Sequence, residues 1–233
     1  ATNSVAIGVN SLVSNTTGSK NTAIGYGALS TTTTVTGLTA IGYEALGANT
    51  SGVSNTAIGY ESLSANTIGN NNTANGYQAL KSNTVGNHNT AVGFLALTAN
   101  VSGFYNTAIG YKSLLTNNTG THNTANGRRA LSNNTGGSYN TAIGNAALYY
   151  NIGGNDNTAV GHEALIANTS GNNNIANGGL ALQLNQGGNQ NVASGYMALR
   201  KNVSGNHNVA VGFLSLVENT ASYNTAIGWK ALD

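Results

Sequence analysis

A glycine recurs at one constant interval along almost the entire chain. Thirteen consecutive glycines from Gly8 to Gly212 keep this interval without an insertion or deletion, and Gly228 follows one position early. The phrase Asn-Thr-Ala-Ile-Gly-Tyr-x-Ala-Leu-x-x-Asn-Thr-x-Gly surrounds each of them in recognisable form. A fixed period of this length indicates a repeat architecture in which each unit packs on its neighbours. We therefore predict that residues 1–233 form one array of about fourteen coils, each 17 residues long. We expect this array to be a segment of a longer fibre.

The residues around the glycine form columns, by which we mean the residues at one repeat position in successive coils. The position four residues after the glycine is leucine in all fourteen units, and the position two residues before it is always alanine. Asn and Gly are frequent and are poor helix formers, whereas Thr-Ala-Ile-Gly-Tyr alternates as a short strand does. The pattern predicts an all-β fold, a parallel β-solenoid (β-roll), with a second short strand around Ala-Leu. The Asn-Thr-x-Gly stretch is predicted to be a turn in which Gly or Asn takes a positive φ.

Composition argues against several function classes. Only 6% of the residues are charged and the net charge is +2, so the sequence offers no basic stripe for nucleic acid. No apolar run reaches about 18 residues, so we expect no direct membrane insertion. A surface that repeats one feature in every coil differs from the unique pocket of an enzyme. We predict no enzymatic activity, no catalytic residues, no cofactor and no metal site.

Three histidines share one repeat position, namely His88, His122 and His207. Coils that stack about 4.8 Å apart separate them by roughly 9 Å or more. Metal ligands lie about 2 Å from the ion. One chain therefore cannot bring two of them to one metal, and we predict that they are exposed loop residues.

Two asparagine columns flank the predicted strand. Their side-chain amides can donate and accept along the array, as asparagine ladders do, and we predict structural ladders. The alternative is glycosylation, because Asn49, Asn100, Asn117 and Asn202 fit the acceptor pattern. The two columns include Asn15, Asn49, Asn66, Asn83, Asn100 and Asn117, and Asn21, Asn55, Asn72, Asn89, Asn106 and Asn123.

Alternation along the strand places Ala and Gly on one face and Thr, Ile and Tyr on the other. Neither face is convincingly polar, so we expect the sheet to be buried on both sides, with neighbouring chains covering the second face. The isoleucine column is interrupted by Asn75, Asn126 and Asn177, which recur at every third coil. These asparagines are either polar layers that fix the register of an interface or residues on a tolerant surface.

The position after the glycine is aromatic in most coils. Stacked aromatic residues usually support packing, and the alternative is a contact ladder for glycan or protein, since tyrosine combines an apolar ring with a polar tip. The column changes at Arg128, Asn145, His162 and Gly179, where any special site is expected. The candidate binding surface comprises Tyr26, Tyr43, Tyr60, Tyr77, Phe94, Tyr111, Arg128, His162, Tyr196, Phe213 and Trp229.

Asn3-Ser4-Val5-Ala6-Ile7-Gly8 resembles the head repeat of YadA-like trimeric autotransporter adhesins. The longer phrase that begins at Asn106 is similar to repeat regions of bacterial surface proteins and phage tail fibres. The resemblance implies a left-handed β-roll, a homotrimer, and a fibre that adheres to a surface glycan or protein. It also implies an extracellular location, at a cell surface or on a virion appendage.

Two other functions remain open. Asn191-Val192-Ala193-Ser194-Gly195 is similar to the ice-binding repeats of some grasses, and a regular threonine column could order water, although neighbouring tyrosines would roughen an ice plane. The remote alternative is a polysaccharide-degrading tailspike, for which Asp156 and Glu163 are the candidate acid pair. Glu44 and Glu61 are predicted to form a solvated edge instead.

Overall fold

The computed structural model describes residues 3–232 and shows an all-β chain. The chain divides into two compact units, Ala1–Thr119 and Gly120–Asp233. Within the described residues the first unit contains β1 to β7 and the second contains β8 to β14. No helix in the described part of the chain is long and apolar enough to cross a membrane. The strands are β1 (Val5–Ile7), β2 (Thr22–Ile24), β3 (Thr39–Ile41), β4 (Thr56–Ile58), β5 (Thr73–Asn75), β6 (Thr90–Val92), β7 (Thr107–Ile109), β8 (Thr124–Asn126), β9 (Thr141–Ile143), β10 (Thr158–Val160), β11 (Ile175–Asn177), β12 (Val192–Ser194), β13 (Val209–Val211) and β14 (Thr225–Ile227).

Strands within each unit pair in parallel and in sequence order. Thr22 lies opposite Thr39, and Thr141 lies opposite Thr158, so equivalent residues of successive coils face each other in register. The sequence offset between these partners equals the interval of the glycine pattern. The prediction of a parallel β-solenoid is confirmed.

The alanine face of each strand is the core of its own chain. Ala91 and Ala159 are fully buried at the strand centres, together with Leu97 and Leu165 four residues after the glycine. The flanking Thr and Ile side chains are half-buried or exposed. The interior of a coil thus holds small side chains and one leucine, and no part of the described chain covers the Thr and Ile face completely.

The Ala-Leu segment is a turn and not the second strand that the sequence predicts. Leu97 and Leu165 have φ values of 53° and 52°, and the residues two positions before them, Leu95 and Glu163, have 54° and 53°. This left-handed conformation costs an ordinary residue about 1–2 kcal/mol, which burial of the leucine side chain offsets. The two left-handed residues turn the backbone sharply, so that each coil returns to its starting position one level along the stack.

Two glycine columns are required for different reasons. Gly93 has a φ of 136°, and a Cβ atom on it would lie 2.6 Å from the carbonyl oxygen of Gly110. Glycines in the Asn-Thr-x-Gly stretch do not take the predicted positive φ. At Gly154 a Cβ atom would lie 2.5 Å from Asn151 Oδ1 and would also strike the carbonyl of the next coil. Close packing against the asparagine ladder therefore excludes a side chain there.

Both asparagine columns form buried ladders, as predicted. In the first, Asn83 Nδ2 donates to Asn66 Oδ1 at 2.9 Å, and Asn151 Nδ2 donates to Asn134 Oδ1 at 2.8 Å. In the second, the Asn72 backbone amide donates to the side-chain oxygen of Asn55 at 2.9 Å. At the four candidate acceptors the glycosylation alternative is wrong, because all four are fully buried: Asn49, Asn100, Asn117 and Asn202.

Candidate functional site

Three columns lie side by side on the outward face of the first unit. They consist of threonine at the start of each strand, isoleucine or valine at its end, and an aromatic residue two positions further on. The threonine hydroxyl groups make no hydrogen bond within the described chain, so they are available to solvent or a ligand. The threonines from β2 to β7 are Thr22, Thr39, Thr56, Thr73, Thr90 and Thr107.

Six aromatic rings of the first unit form an uninterrupted stack. Successive ring centroids lie between 5.0 and 5.4 Å apart, and the rings are nearly parallel. The coil spacing therefore places each ring directly on the next, and the rings remain partly exposed. The packing interpretation and the contact interpretation are thus compatible. The stack comprises Tyr26, Tyr43, Tyr60, Tyr77, Phe94 and Tyr111.

Charged groups beside this stack alter its chemistry locally. A hydrogen bond from the Tyr43 phenol to the Glu44 carboxylate raises the pKa of Tyr43, and repulsion by the same negative charge adds to the shift. The Lys112 Nζ atom lies 5.2 Å from the centroid of the Tyr111 ring, within cation–π distance. The negative charge of Glu44 therefore favours the neutral form of the Tyr43 phenol.

The aromatic column of the second unit is incomplete. Arg128, Asn145 and His162 are exposed, and Gly179 leaves the next position without a side chain. Stacking resumes at Tyr196 and Phe213, whose ring centroids are 5.6 Å apart. Trp229 follows with 71% of its surface exposed. The second unit therefore presents a polar gap where the first presents continuous rings.

The three interrupting asparagines end their strands on the outward face. Asn75, Asn126 and Asn177 are exposed, and their side chains make no hydrogen bond within residues 3–232. Their backbone carbonyls still accept the hydrogen bonds that join neighbouring coils. For example, Gly93 N donates to Asn75 O at 2.8 Å. The amide groups therefore replace apolar side chains without disturbing the coil. Their role as interface layers stays a prediction.

A second aromatic column was not predicted from the sequence. His88 stacks on Tyr105 with ring centroids 4.7 Å apart. The same arrangement recurs at His122 with Tyr139 and at His207 with Tyr223. The signal was present, because in each case a histidine and a tyrosine occupy one repeat position in successive coils. All three histidines are exposed, as predicted.

The acidic residues that were considered as candidate or edge groups make separate polar contacts in the described chain. Glu61 accepts hydrogen bonds from Lys81 Nζ at 2.6 Å and Gln78 Nε2 at 2.7 Å, and these lower the pKa of its carboxyl group, with Lys81 the larger cause. Glu163 contacts Gln183 and His162, and within residues 3–232 neither a hydrogen bond nor an ion pair joins it to Asp156. No three His, Asp or Glu side chains of the described chain lie close enough together to hold a metal ion.

Shallow depressions lie on the surfaces of both units. In the first unit, a depression of about 530 Å³ is lined by Val53, Asn70, Asn71, Asn87, His88, Phe104 and Tyr105. In the second unit, one of about 230 Å³ is lined by Arg128, Arg129, Asn145, Ala146, Tyr149, Tyr150, Glu163 and Ile166. The latter lies beside the gap in the aromatic column and includes both neighbouring arginines.

No protein-family model matches the chain, and no curated protein is similar enough to count as a match. The resemblance to adhesin and tail-fibre repeats therefore depends on the repeat motif alone.

Proposed function

We propose that the chain is a non-enzymatic, adhesive segment of a fibre, located outside the cell at its surface or on a virion appendage. The observation that carries this proposal is the outward face itself. In-register columns of aliphatic and aromatic side chains stay exposed on a chain of which only 6% is charged. Such a face suits repeated contact with a surface glycan or protein receptor, and exposed apolar patches of this kind commonly mark interaction sites.

Self-association as a homotrimer accounts for the isoleucine column. Ile109 and Ile143 are 40% and 41% exposed in the single chain, although the rest of their strands is well packed. Copies that face one another through this column would remove these side chains from water, at roughly 25 cal/mol per Å² of apolar surface. Asn75, Asn126 and Asn177 would then meet their counterparts and fix the axial register, as single buried asparagines do in coiled coils.

Sedimentation equilibrium tests this assembly. We expect a mass three times that of the 23.5 kDa chain, and we expect Ile109→Lys to reduce it to that of the monomer. The matched control is Val101→Lys, because Val101 is 39% exposed in the same unit but lies outside the three outward columns. A folded wild-type monomer, or equal dissociation by both variants, would contradict the trimer.

Retention on immobilised glycans and host-surface proteins tests adhesion. We expect binding by the wild-type chain and weaker binding by Tyr60→Ser, which removes a ring from the middle of the stack. The control Tyr139→Ser removes a ring from the second aromatic column instead. If the chain is retained on neither class of surface, the adhesive proposal fails.

Ice binding is the second candidate, and the threonine column favours it. Six in-register hydroxyl groups of the first unit have no protein partner and could organise water. In the second unit the column changes to Ile175, Val192 and Val209, and this weakens the case. Thermal hysteresis that Thr56→Leu abolishes would make this the better assignment, whereas its absence from the wild-type chain removes it.

A further inference from the structure

We propose that the depression around Arg129 in the second unit binds the acidic group of a carboxylated or sulfated polysaccharide. The inference rests on the proposed adhesive function and names the class of receptor that this unit recognises. The observation behind it is that several side chains that depart from the repeat pattern line one small region of the surface.

These departures from the repeat can be seen in the sequence alone. Arg128 and Arg129 are the only pair of adjacent arginines in the chain. Tyr149 and Tyr150 are the only aromatic residues at their two repeat positions in the sequence. All four side chains line the same depression of about 230 Å³. Random departures from a repeat would be scattered over the coil, whereas these converge.

Arg129 supplies the charge for an anionic ligand. Its side chain makes no ion pair or hydrogen bond with any residue in the described range 3–232. The planar guanidinium group binds carboxylate or sulfate oxygens through two parallel hydrogen bonds. The Arg129 backbone has a φ of 58° and accepts a hydrogen bond from the Ser132 amide at 3.3 Å, so the base of the side chain is held in place.

The single carboxylate in the lining is already engaged. Glu163 accepts a hydrogen bond from Gln183 Nε2 at 2.9 Å and lies 3.7 Å from His162 Nε2. In the first unit the equivalent Glu61 is paired with Lys81 instead. Because two guanidinium groups and one carboxylate line the depression, its net charge is positive, and this favours binding of an anion.

The other lining groups suit a sugar rather than a simple ion. Tyr149 and Tyr150 meet edge to face with ring centroids 4.6 Å apart, and Tyr150 is 52% exposed. Aromatic rings pack against the C–H faces of sugars, and the exposed Asn145 amide can donate to hydroxyl groups and accept from them. Tyr150 also lines a neighbouring depression of about 480 Å³ with Ile152 and Thr169. Two adjoining depressions accommodate more than one sugar ring, so we assign a polysaccharide.

Surface-based binding measurements on the full chain test the inference. The probes are polygalacturonate, which carries carboxylates, dextran sulfate, which carries sulfates, and uncharged dextran. We expect wild-type chain to bind one or both acidic polymers and to ignore dextran, and the stronger acidic probe identifies the preferred group. We expect Arg129→Gln to weaken that binding about tenfold, which corresponds to losing one charge-assisted pair. Arg129→Lys should give a smaller loss, because it keeps the charge and loses the two-pronged geometry.

The matched control is Lys201→Gln, which removes one positive charge from the same unit. Lys201 Nζ is paired with Glu218 Oε2 at 2.8 Å and does not line the depression. Equal losses in Arg129→Gln and Lys201→Gln would overturn the inference, as would wild-type affinity in Arg129→Gln. Equal binding of a single-stranded oligonucleotide would overturn it too, because a general polyanion surface would then be the explanation.

Failure of this inference is distinguishable from failure of the proposed function. If wild-type chain binds dextran or a protein surface but neither acidic polymer, the adhesive function stands and the acidic-glycan site is wrong. If it is retained on no surface at all, both are wrong. Far-ultraviolet circular dichroism of each variant separates lost binding from lost folding.

Discussion

The two units of the chain share an interior and differ on the outside. Leu97 in the first unit and Leu165 in the second are both fully buried with the same left-handed backbone. The asparagine ladder has hydrogen bonds of 2.9 Å at Asn83 and 2.8 Å at Asn151. On the surface, six stacked rings in the first unit contrast with the sequence Arg128, Asn145, His162 and Gly179 at the same repeat position in the second.

This difference separates two kinds of constraint. Interior positions face the next coil at one fixed spacing, so a change at one level strikes the neighbouring backbone or leaves a buried amide without its partner. Outward positions meet solvent and can vary coil by coil at little cost. On the proposed function, departures from the repeat are therefore the positions where a partner would be recognised. The four predictions below break or sharpen this comparison.

The largest effect is expected from alanine at the shared glycine. Gly93→Ala and Gly144→Ala would place Cβ atoms 2.6 and 2.5 Å from the carbonyl oxygens of Gly110 and Gly161, at φ values that alanine avoids. Each should lower the free energy of unfolding by about 3 kcal/mol or more in urea titrations. Gly153→Ala is the control, because no atom lies within 4 Å of its added Cβ atom. A small loss in one unit only would show that the interiors are not equivalent.

The next effect concerns the buried amides. Asn83→Ala and Asn151→Ala should each lower the free energy of unfolding by about 2–3 kcal/mol, because neighbouring ladder groups lose their partners inside the coil. The exposed Asn145→Ala should change it by less than about 0.5 kcal/mol. Comparable losses at Asn145 and Asn151 in urea unfolding would argue against a structural ladder.

The aromatic column gives a smaller and unequal effect. Tyr60→Ala breaks two ring stacks in the first unit, whereas Tyr196→Ala breaks one in the second, so losses of roughly 2 and 1 kcal/mol are expected. Gly179→Phe should extend the second stack, since a Cβ atom there would lie 3.5 Å from the Tyr196 ring. Thermal unfolding measures the stability of all three variants. If Gly179→Phe does not raise the stability, the absence of a ring at position 179 does not by itself explain the gap in the stack.

The smallest effect is a dependence on pH. Because Lys81 and Gln78 lower the pKa of the Glu61 carboxyl group, its contribution to stability is present above the ordinary carboxyl pKa and is lost as the pH falls through the folded value. Glu61→Gln should cost under about 1 kcal/mol at pH 7. In urea titrations the difference should shrink as the pH falls below the ordinary glutamate pKa of about 4.3. Glu163→Gln, at the equivalent position without a lysine partner, serves as the comparison. If the difference in the free energy of unfolding between the wild-type chain and Glu61→Gln stays the same as the pH is lowered, the ion-pair explanation is contradicted.

Much of the coil could be predicted from the periodic pattern. The strand Thr-Ala-Ile, the inward alanine and leucine and both asparagine ladders follow from side-chain types that recur at the same place in each repeat. The backbone path between them was harder to predict. Leu97 and Gly154 show why. The pattern predicts that Leu97 is buried but not that its backbone is left-handed. It also predicts that a glycine is required at position 154, but not whether a positive φ or a close neighbouring atom excludes a side chain there.

The candidate site was predicted only in part. The break at Arg128 was visible as a change in one column, whereas its association with Tyr149 and Tyr150 was not. These tyrosines belong to the following coil and occupy different repeat positions from the arginine. Their meeting depends on how sharply the left-handed turn folds one coil against the next.

The sequence by itself determined the stacked β-coils, because a spacing repeated along the whole chain leaves only an arrangement in which equivalent side chains meet at every level. The tertiary structure decided which face is the core, why each glycine is needed and which exceptional side chains share a surface. These depend on φ angles and on distances between coils, and a linear pattern of residue types contains neither.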